Sequence, residues 1–194
     1  MENSSFYDLA INLIEKGALR EARKELILKA TGRVLEVGAG TGINFPFYRG
    51  VEQVDAIEPN PSAIKKSHVY KKAASVPIMT HVQGAEHLSF TDHTFDTVVG
   101  TLVFCTIPNP VKALAEIRRV TKPNGKILLF EHVKMDNPFL GQMQELVNPV
   151  WKRLFSGCHL NRNTLQTVKE AGFKVKNVTP YYKGLFIVME CTVD

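Results

Sequence analysis

The chain has 194 residues, of which 44% are hydrophobic and 22% charged, with 24 lysines and arginines against 19 acids and a net charge of +5. This composition excludes disorder, collagen and coiled coil, and one domain per roughly 150 residues predicts a single unit spanning 1–194. No stretch approaches the roughly 18 apolar residues of a membrane span.

Residues 5–30 carry apolar positions at helical spacing (Phe6, Leu9, Leu13, Ile14, then Leu19, Ala22, Leu26, Ile27) around Gly17, which predicts two short amphipathic helices. Their start lacks the basic stretch and unbroken apolar core of a secretory signal. A short apolar run at 34–37 ends in Gly38-Ala39-Gly40-Thr41-Gly42, and a second strand over 53–57 ends at Glu58-Pro59-Asn60-Pro61. A helix then begins near Ser62. Strands follow over 78–82 and 95–100, a helix from Pro110 to Val120, a turn at 122–125 and a fifth strand over 126–131. The segment 137–157 reads as partly helical, 161–171 as a helix closed by Gly172, and strands near 175–178 and 185–191 end the chain.

Strands alternating with helices require crossovers and therefore a parallel sheet covered on both faces. The last two strands, joined by a short turn at Lys183-Gly184, imply an antiparallel edge. The expected fold is α/β, Rossmann-like and doubly wound: a mostly parallel seven-stranded sheet with an antiparallel edge strand.

In such a sheet, ligands bind beyond the carboxyl ends of the strands where the strand order reverses. Glycines there let the backbone approach a ligand closely, and a following helix offers unpaired N–H groups. The spacing Gly38-x-Gly40-x-Gly42 is not the dinucleotide fingerprint, whose third glycine would fall where Ile43 stands. A contracted loop preceded by Glu36 suits a ligand without a pyrophosphate. Glu58, about 20 residues further on, is placed to accept both hydroxyls of an unphosphorylated ribose.

The motifs VLEVGAGTG (34–42), AIEPN (56–60), GAEHLSF (84–90), FDTVVGTLVFCTIPNP (95–110) and KPNGKILLFEH (122–132) together resemble the motif series of class I S-adenosylmethionine-dependent methyltransferases. They are most similar to the ubiquinone/menaquinone-type small-molecule subgroup. NFPFY (44–48), TLVFCTIPNP, FEHV and NPVWKRLFSGCHLNR (148–162) further resemble the methyltransferase-like thiol S-methyltransferases. Bacterial phospholipid N-methyltransferases share the general plan.

The resemblance implies roles residue by residue. Glu36 would stand near the amino group of S-adenosylmethionine, with Asn44 in the same cofactor-binding loop. Gly38, Gly40 and Gly42 would pass under its methionyl and ribose portions. Glu58, followed by Pro59, would take the ribose, and Ala85 and Glu86 would line the adenine. Thr101 would contact the methionyl end, and residues 1–30 would form a helical lid over the cofactor, to which Tyr7 either belongs or contributes core packing. S-adenosylhomocysteine would be the product. Many relatives carry Asp before the Ala-Glu pair; here it is Gly84, which leaves adenine recognition to Glu86 or the main chain. Animal relatives of the thiol subgroup begin with an apolar anchor, which the amphipathic start here does not reproduce.

Methyl transfer from a sulfonium requires alignment above all, and a thiol acceptor, already a few per cent thiolate at neutral pH, needs the least help from a base. The candidate bases are Glu131 and His132, after the fifth strand, and His159. The stretch 139–155, apolar at three- and four-residue spacing, reads either as an ordinary packing face or, within an insertion over 133–160, as a roof over the acceptor pocket. Cys105, Cys158 and Cys191 are far apart and lack CxxC spacing, which argues against a disulfide framework and against a structural zinc site, and His68, His81, His87 and His93 share no ligand spacing, so no metal is expected. Cys105 reads as a small buried side chain.

Paired basic residues such as Lys65-Lys66 and Arg118-Arg119 are scattered, so nucleic acid is not expected as a partner. The expected protein is a cytoplasmic monomer or homodimer acting on a small, apolar acceptor, with peripheral membrane contact left open. A phospholipid or quinone-precursor methyltransferase and a non-catalytic cofactor-binding protein are the alternatives.

Overall fold

The computed structural model describes residues 17–155 and 157–194. Tyr7 and most of the expected first helix lie outside the described residues. The second helix of that pair is present as α1 (Ala18–Ile27), which buries Leu19, Ala22, Leu26 and Ile27 against the sheet.

The strands are β1 (Arg33–Val37), β2 (Gln53–Ile57), β3 (Ile78–His81), β4 (Phe95–Thr101), β5 (Thr121–His132), β6 (Lys174–Tyr181) and β7 (Phe186–Thr192). The helices after α1 are α2 (Pro61–Ala73), α3 (Pro110–Val120), α4 (Pro138–Leu154) and α5 (Thr164–Glu170). Three of them start the same way: Asn60, Asn109 and Asn137 each accept a backbone N–H from the first turn, with Pro61, Pro110 and Pro138 following. The asparagine satisfies an orphan donor, and the proline presets φ where no N–H is needed.

The sheet runs β3-β2-β1-β4-β5-β7-β6. β1 pairs in parallel with both β2 and β4, so the order reverses at β1, and the crevice between the ends of β1 and β4 is where a ligand belongs. The antiparallel pair expected at the edge is present, with β7 inserted between β5 and β6 so that β6 forms the edge itself. The turn at 122–125 falls inside β5 as a kink. Phe95 faces Thr121, Thr97 faces Lys126, and Asn124 takes a left-handed φ of 60° to absorb the extra residues.

Alternation along the strands builds two cores. Leu35, Val98 and Leu129 face α3 and α5, while Val34, Val99 and Leu128 face α1 and the short 3-10 turn Phe45–Phe47.

The segment 137–157 is more regular than the sequence suggests. α4 is one helix of 17 residues with Pro149 inside it. Its apolar stripe, however, points outward: Phe139 is 70% exposed, Leu146 75% and Val150 60%, while Gly141 and Gln144 face inward. The packing-face reading is therefore corrected. The helical period was right, but α4 is held by polar contacts: Gln144 bonds Met135 N–H and the carbonyls of Val133 and Leu160, Asn148 accepts the Leu160 N–H, and Glu145 pairs with Lys134. Among the described residues, no helix is long and apolar enough to cross a membrane.

Candidate active site

β1 ends in Glu36-Val37 and releases the chain into a loop where Gly38, Gly40 and Gly42 have φ of 68°, 54° and 82°. A Cβ at Gly38 would stand 2.1 Å from Val103 Cγ2, and one at Gly42 2.6 Å from the Phe45 ring. These two positions need glycine for both backbone and space. A Cβ at Gly40 would meet nothing within 4 Å, so the loop is open on that side. Glu58 follows β2 directly and accepts the Gly40 N–H at 3.1 Å and the Asn60 N–H at 2.9 Å. The carboxylate thus stands beside the middle glycine, with Pro59 exposed next to it.

Beneath the loop lies a buried polar network. Asn44 Nδ2 donates to Glu36 Oε1 at 2.9 Å and to Thr101 Oγ1 at 3.0 Å. Asn44 Oδ1 accepts from Arg23 Nη1 at 2.9 Å, and the same nitrogen donates to Thr101 Oγ1 at 2.6 Å. The Arg23 guanidinium also lies over the Phe130 ring, 5.4 Å from its centroid. Burial pushes the Glu36 carboxyl up to about 7, against the opposing pull of the Tyr48 hydroxyl, the Asn44 amide and the Arg23 charge. One amide therefore bridges a buried acid and a buried base at the crevice between β1 and β4.

The third wall is the segment after β3. Ala85 is buried in the same cluster as Val37, Ile57 and Val103, and Glu86 Oε1 accepts the Asn109 N–H at 3.2 Å. α3 pins this segment. Arg119 donates to the carbonyls of Leu88 and Phe90 at 2.9 and 2.8 Å, while Glu116 accepts the Leu88 N–H at 2.8 Å. The Arg119 guanidinium, ahead of the Leu88 N–H, holds the Glu116 carboxyl down to about 2.

At the end of β5 the candidate bases turn inward. Glu131 is fully buried, and its Oε1 accepts the N–H groups of Val103 and Phe104 at 2.9 and 3.1 Å, so it anchors the loop after β4. Burial raises its carboxyl to about 7 despite those two bonds. His132 is 9% exposed, with Nε2 3.0 Å from Cys158 Sγ. The Cys105 partner lowers the Cys158 thiol, with His132 adding to the effect, and the Cys105 thiol is raised. His159 joins this group only through its backbone, donating its N–H to the Cys105 carbonyl at 2.9 Å.

A model of the methyltransferase domain matches residues 35–129. Thiol S-methyltransferase TMT1B of Rattus norvegicus is 35% identical over 144 residues, which cover 72% of this chain and 59% of that protein. The chain belongs to the methyltransferase-domain family. Phosphatidylethanolamine N-methyltransferase of Cereibacter sphaeroides is 25% identical over 143 residues, covering 73% of this chain and 70% of that one. The solved SAM-dependent methyltransferase of Aquifex aeolicus superposes over 100% of both chains with a TM-score of 0.72 at 18% identity, a likeness of fold. The chain spans about three fifths of the length of the thiol methyltransferase it matches.

Within this domain the structure brings Glu36, Gly38, Gly40, Gly42, Asn44, Glu58 and Thr101 around one crevice, with Ala85 on its flank. The sequence reading missed Arg23. Its signal was available: Arg23 falls on the apolar stripe of α1, between Leu19, Ala22, Leu26 and Ile27, where a charged residue has no packing reason to be.

Proposed function

We propose that the chain transfers the methyl group of S-adenosylmethionine to the sulfur of a small, apolar thiol. The observation that carries the cofactor part is the Glu36–Asn44–Arg23 network. An amino-acid end group bears one ammonium and one carboxylate, and this crevice offers a carboxylate and a guanidinium, both buried and held in register by a single amide. In this reading Glu36 takes the ammonium, Arg23 the carboxylate and Glu58 the ribose hydroxyls, exchanging its bonds to the loop for bonds to the sugar. Ala85 and Glu86 line the adenine, and Thr101 fixes the methionyl end. Pro59 shapes the turn beside the ribose, and Tyr7 belongs to a lid formed by residues 1–30.

Bound there, S-adenosylmethionine supplies a methyl group already activated by a sulfonium. The protein's task is alignment, worth roughly 7–11 kcal/mol in well-oriented cases. Glu131, His132 and His159 are the proton acceptors nearest the acceptor end, and residues 133–160 border it. The preference for sulfur is supported by the likeness to TMT1B. A phospholipid acceptor is the second reading, favoured by the outward apolar stripe of α4 and the likeness to a phosphatidylethanolamine N-methyltransferase. Three free, buried cysteines suit a reducing, cytoplasmic setting.

The test is transfer of labelled methyl to a panel of thiols, phosphatidylethanolamine vesicles and quinol precursors. Transfer to at least one thiol, and less to the others, is expected. Transfer to phospholipid with none to any thiol would replace the first reading by the second.

A further inference from the structure

Cys105, in the loop after β4, His132, at the end of β5, and Cys158, after α4, meet although they are remote in sequence. Their ligand atoms all lie within 4.8 Å of one another, and all three residues are buried. The cofactor crevice uses none of them. A tetrahedral zinc ion, with bonds of about 2.3 Å to sulfur and 2.0–2.1 Å to nitrogen, holds neighbouring ligand atoms about 3.5–3.8 Å apart. The 3.0 Å between His132 Nε2 and Cys158 Sγ has to open by only about half an ångström to reach that spacing.

Polarity points the same way. Both thiols give up their protons on binding a metal, and the resulting pair matches the charge of a divalent cation. His132 Nδ1 and Glu131 Oε2 are buried without a hydrogen-bond partner, and such atoms mark a place whose polar content is completed by something further. Two sulfurs and an imidazole are a soft to borderline donor set, which suits zinc and not magnesium or calcium. Three protein ligands are also the pattern of zinc sites that keep one position open to water or substrate.

We propose that Cys105, His132 and Cys158 form a Cys2His zinc site whose fourth position takes the sulfur of the acceptor; this last part rests on the thiol reading above. The acceptor thiol gives its proton to solvent as its sulfur binds zinc. A sulfur lone pair then forms the new bond to the methyl carbon while the carbon–sulfonium bond breaks, its electron pair staying on the cofactor sulfur. The products are a thioether and S-adenosylhomocysteine, and no oxidant or reductant enters. In this arrangement His132 is a metal ligand and not a free base.

The test uses the full chain, purified under reducing conditions, stripped with a chelator and titrated with zinc and then with cobalt as a spectroscopic probe. The expected result is one metal per chain, with thiolate-to-cobalt charge transfer and the strong visible bands of a tetrahedral ion. Cys105→Ser and Cys158→Ser should lose the charge-transfer signal stepwise, whereas Cys191→Ser, on β7 away from the cluster, should keep it. Failure of the folded wild type to take up either metal stoichiometrically would overturn the site, whatever the variants do. Addition of a small aromatic thiol to the cobalt form should shift the visible bands; bound metal with unshifted bands would overturn the fourth-position assignment. Metal bound and bands shifted, but no methyl transferred to any thiol, would sink the acceptor reading and leave the metal site standing.

Discussion

The two ends of the site are assembled differently. The proposed cofactor end takes Glu36, the three glycines, Asn44 and Glu58 from two consecutive strand ends, and adds Thr101 from the neighbouring strand and Arg23 from α1. The proposed acceptor end gathers Cys105, His132 and Cys158 from three elements with no local pattern linking them. The first is a backbone device with side chains attached: left-handed glycines and the short turn bonds of Gly42 to Ala39 and Phe45 to Gly42 set the path, and Asn44, Glu58 and Arg23 tie it to the neighbouring elements. The second exists only after β5, the loop after β4 and the loop after α4 have been packed together. Damage to the first should therefore be severe and local, and damage to the second should depend on what binds there.

The largest effect is expected at Gly38. Alanine there meets both a φ of 68° and a Cβ position 2.1 Å from Val103 Cγ2. Overpacking and left-handed strain together should cost about 2–5 kcal/mol. Urea denaturation measures the stability change and calorimetry the cofactor affinity. A Gly38→Ala protein that is stable and binds the cofactor normally would mean that the loop is not the rigid device described here. Gly40→Ala, strained in φ but free of any clash, should cost visibly less stability, which separates the two causes.

Next comes Glu58→Ala, expected to weaken cofactor binding by about 1.5–3 kcal/mol, the range for a hydrogen bond to a charged group. It should do so with little change in fold, since Glu58 is only half-buried and its partners, Gly40 N–H and Asn60 N–H, lie next to solvent. Unchanged affinity would remove Glu58 from the ribose.

Glu36 allows a test by pH. Its carboxyl is raised from 4.5 to about 7, chiefly by burial, so in the ligand-free protein it holds a proton that the unfolded chain has already lost. The stability it contributes is full below about pH 4.5 and is lost as pH rises through about 7. Cofactor affinity should run the other way. If the ionised carboxylate receives the ammonium, affinity falls about tenfold per pH unit below 7 and levels off above it. Glu36→Gln should flatten both profiles. A wild-type affinity that does not change between acid and neutral pH would leave the ammonium to another group.

The same contrast explains what could be read before the structure. β1, β2, β4 and α3 were legible because apolar runs stop at glycine or Asn-Pro signals that act within a few residues. The inserted position of β7 was not, because its placement depends on pairing with β5 across the fold. The position of Glu58 beside the loop was legible from its spacing to it. Arg23 was legible only as an exception to an apolar stripe, and it went unread. The three zinc-ligand candidates lay beyond sequence reasoning because their spacing follows from the positions of β5 and α4, not from any local motif. Glu131 had the right residue type at the right strand end. Its burial could not be read, because nothing local says that the N–H groups of Val103 and Phe104 will turn it inward.

The smallest effect is expected on α4, and it sharpens the contrast from the acceptor side. Leu146 and Val150 lie on the outward face, 75% and 60% exposed. Replacing either by serine should change stability by less than about 0.5 kcal/mol, as for surface positions generally. Had the stripe been a packing face, truncation would cost about 2–5 kcal/mol. Gln144→Leu makes the converse case on the same helix. It deletes bonds to Met135, Val133 and Leu160 and leaves buried backbone groups unpaired, at about 1–3 kcal/mol each. If Leu146→Ser proved as damaging as Gln144→Leu, α4 would be held by its apolar face after all. If the expected order holds, polar contacts led by Gln144, with Glu145 and Asn148 beside it, position the helix, and its apolar side is left free to meet whatever approaches the acceptor end.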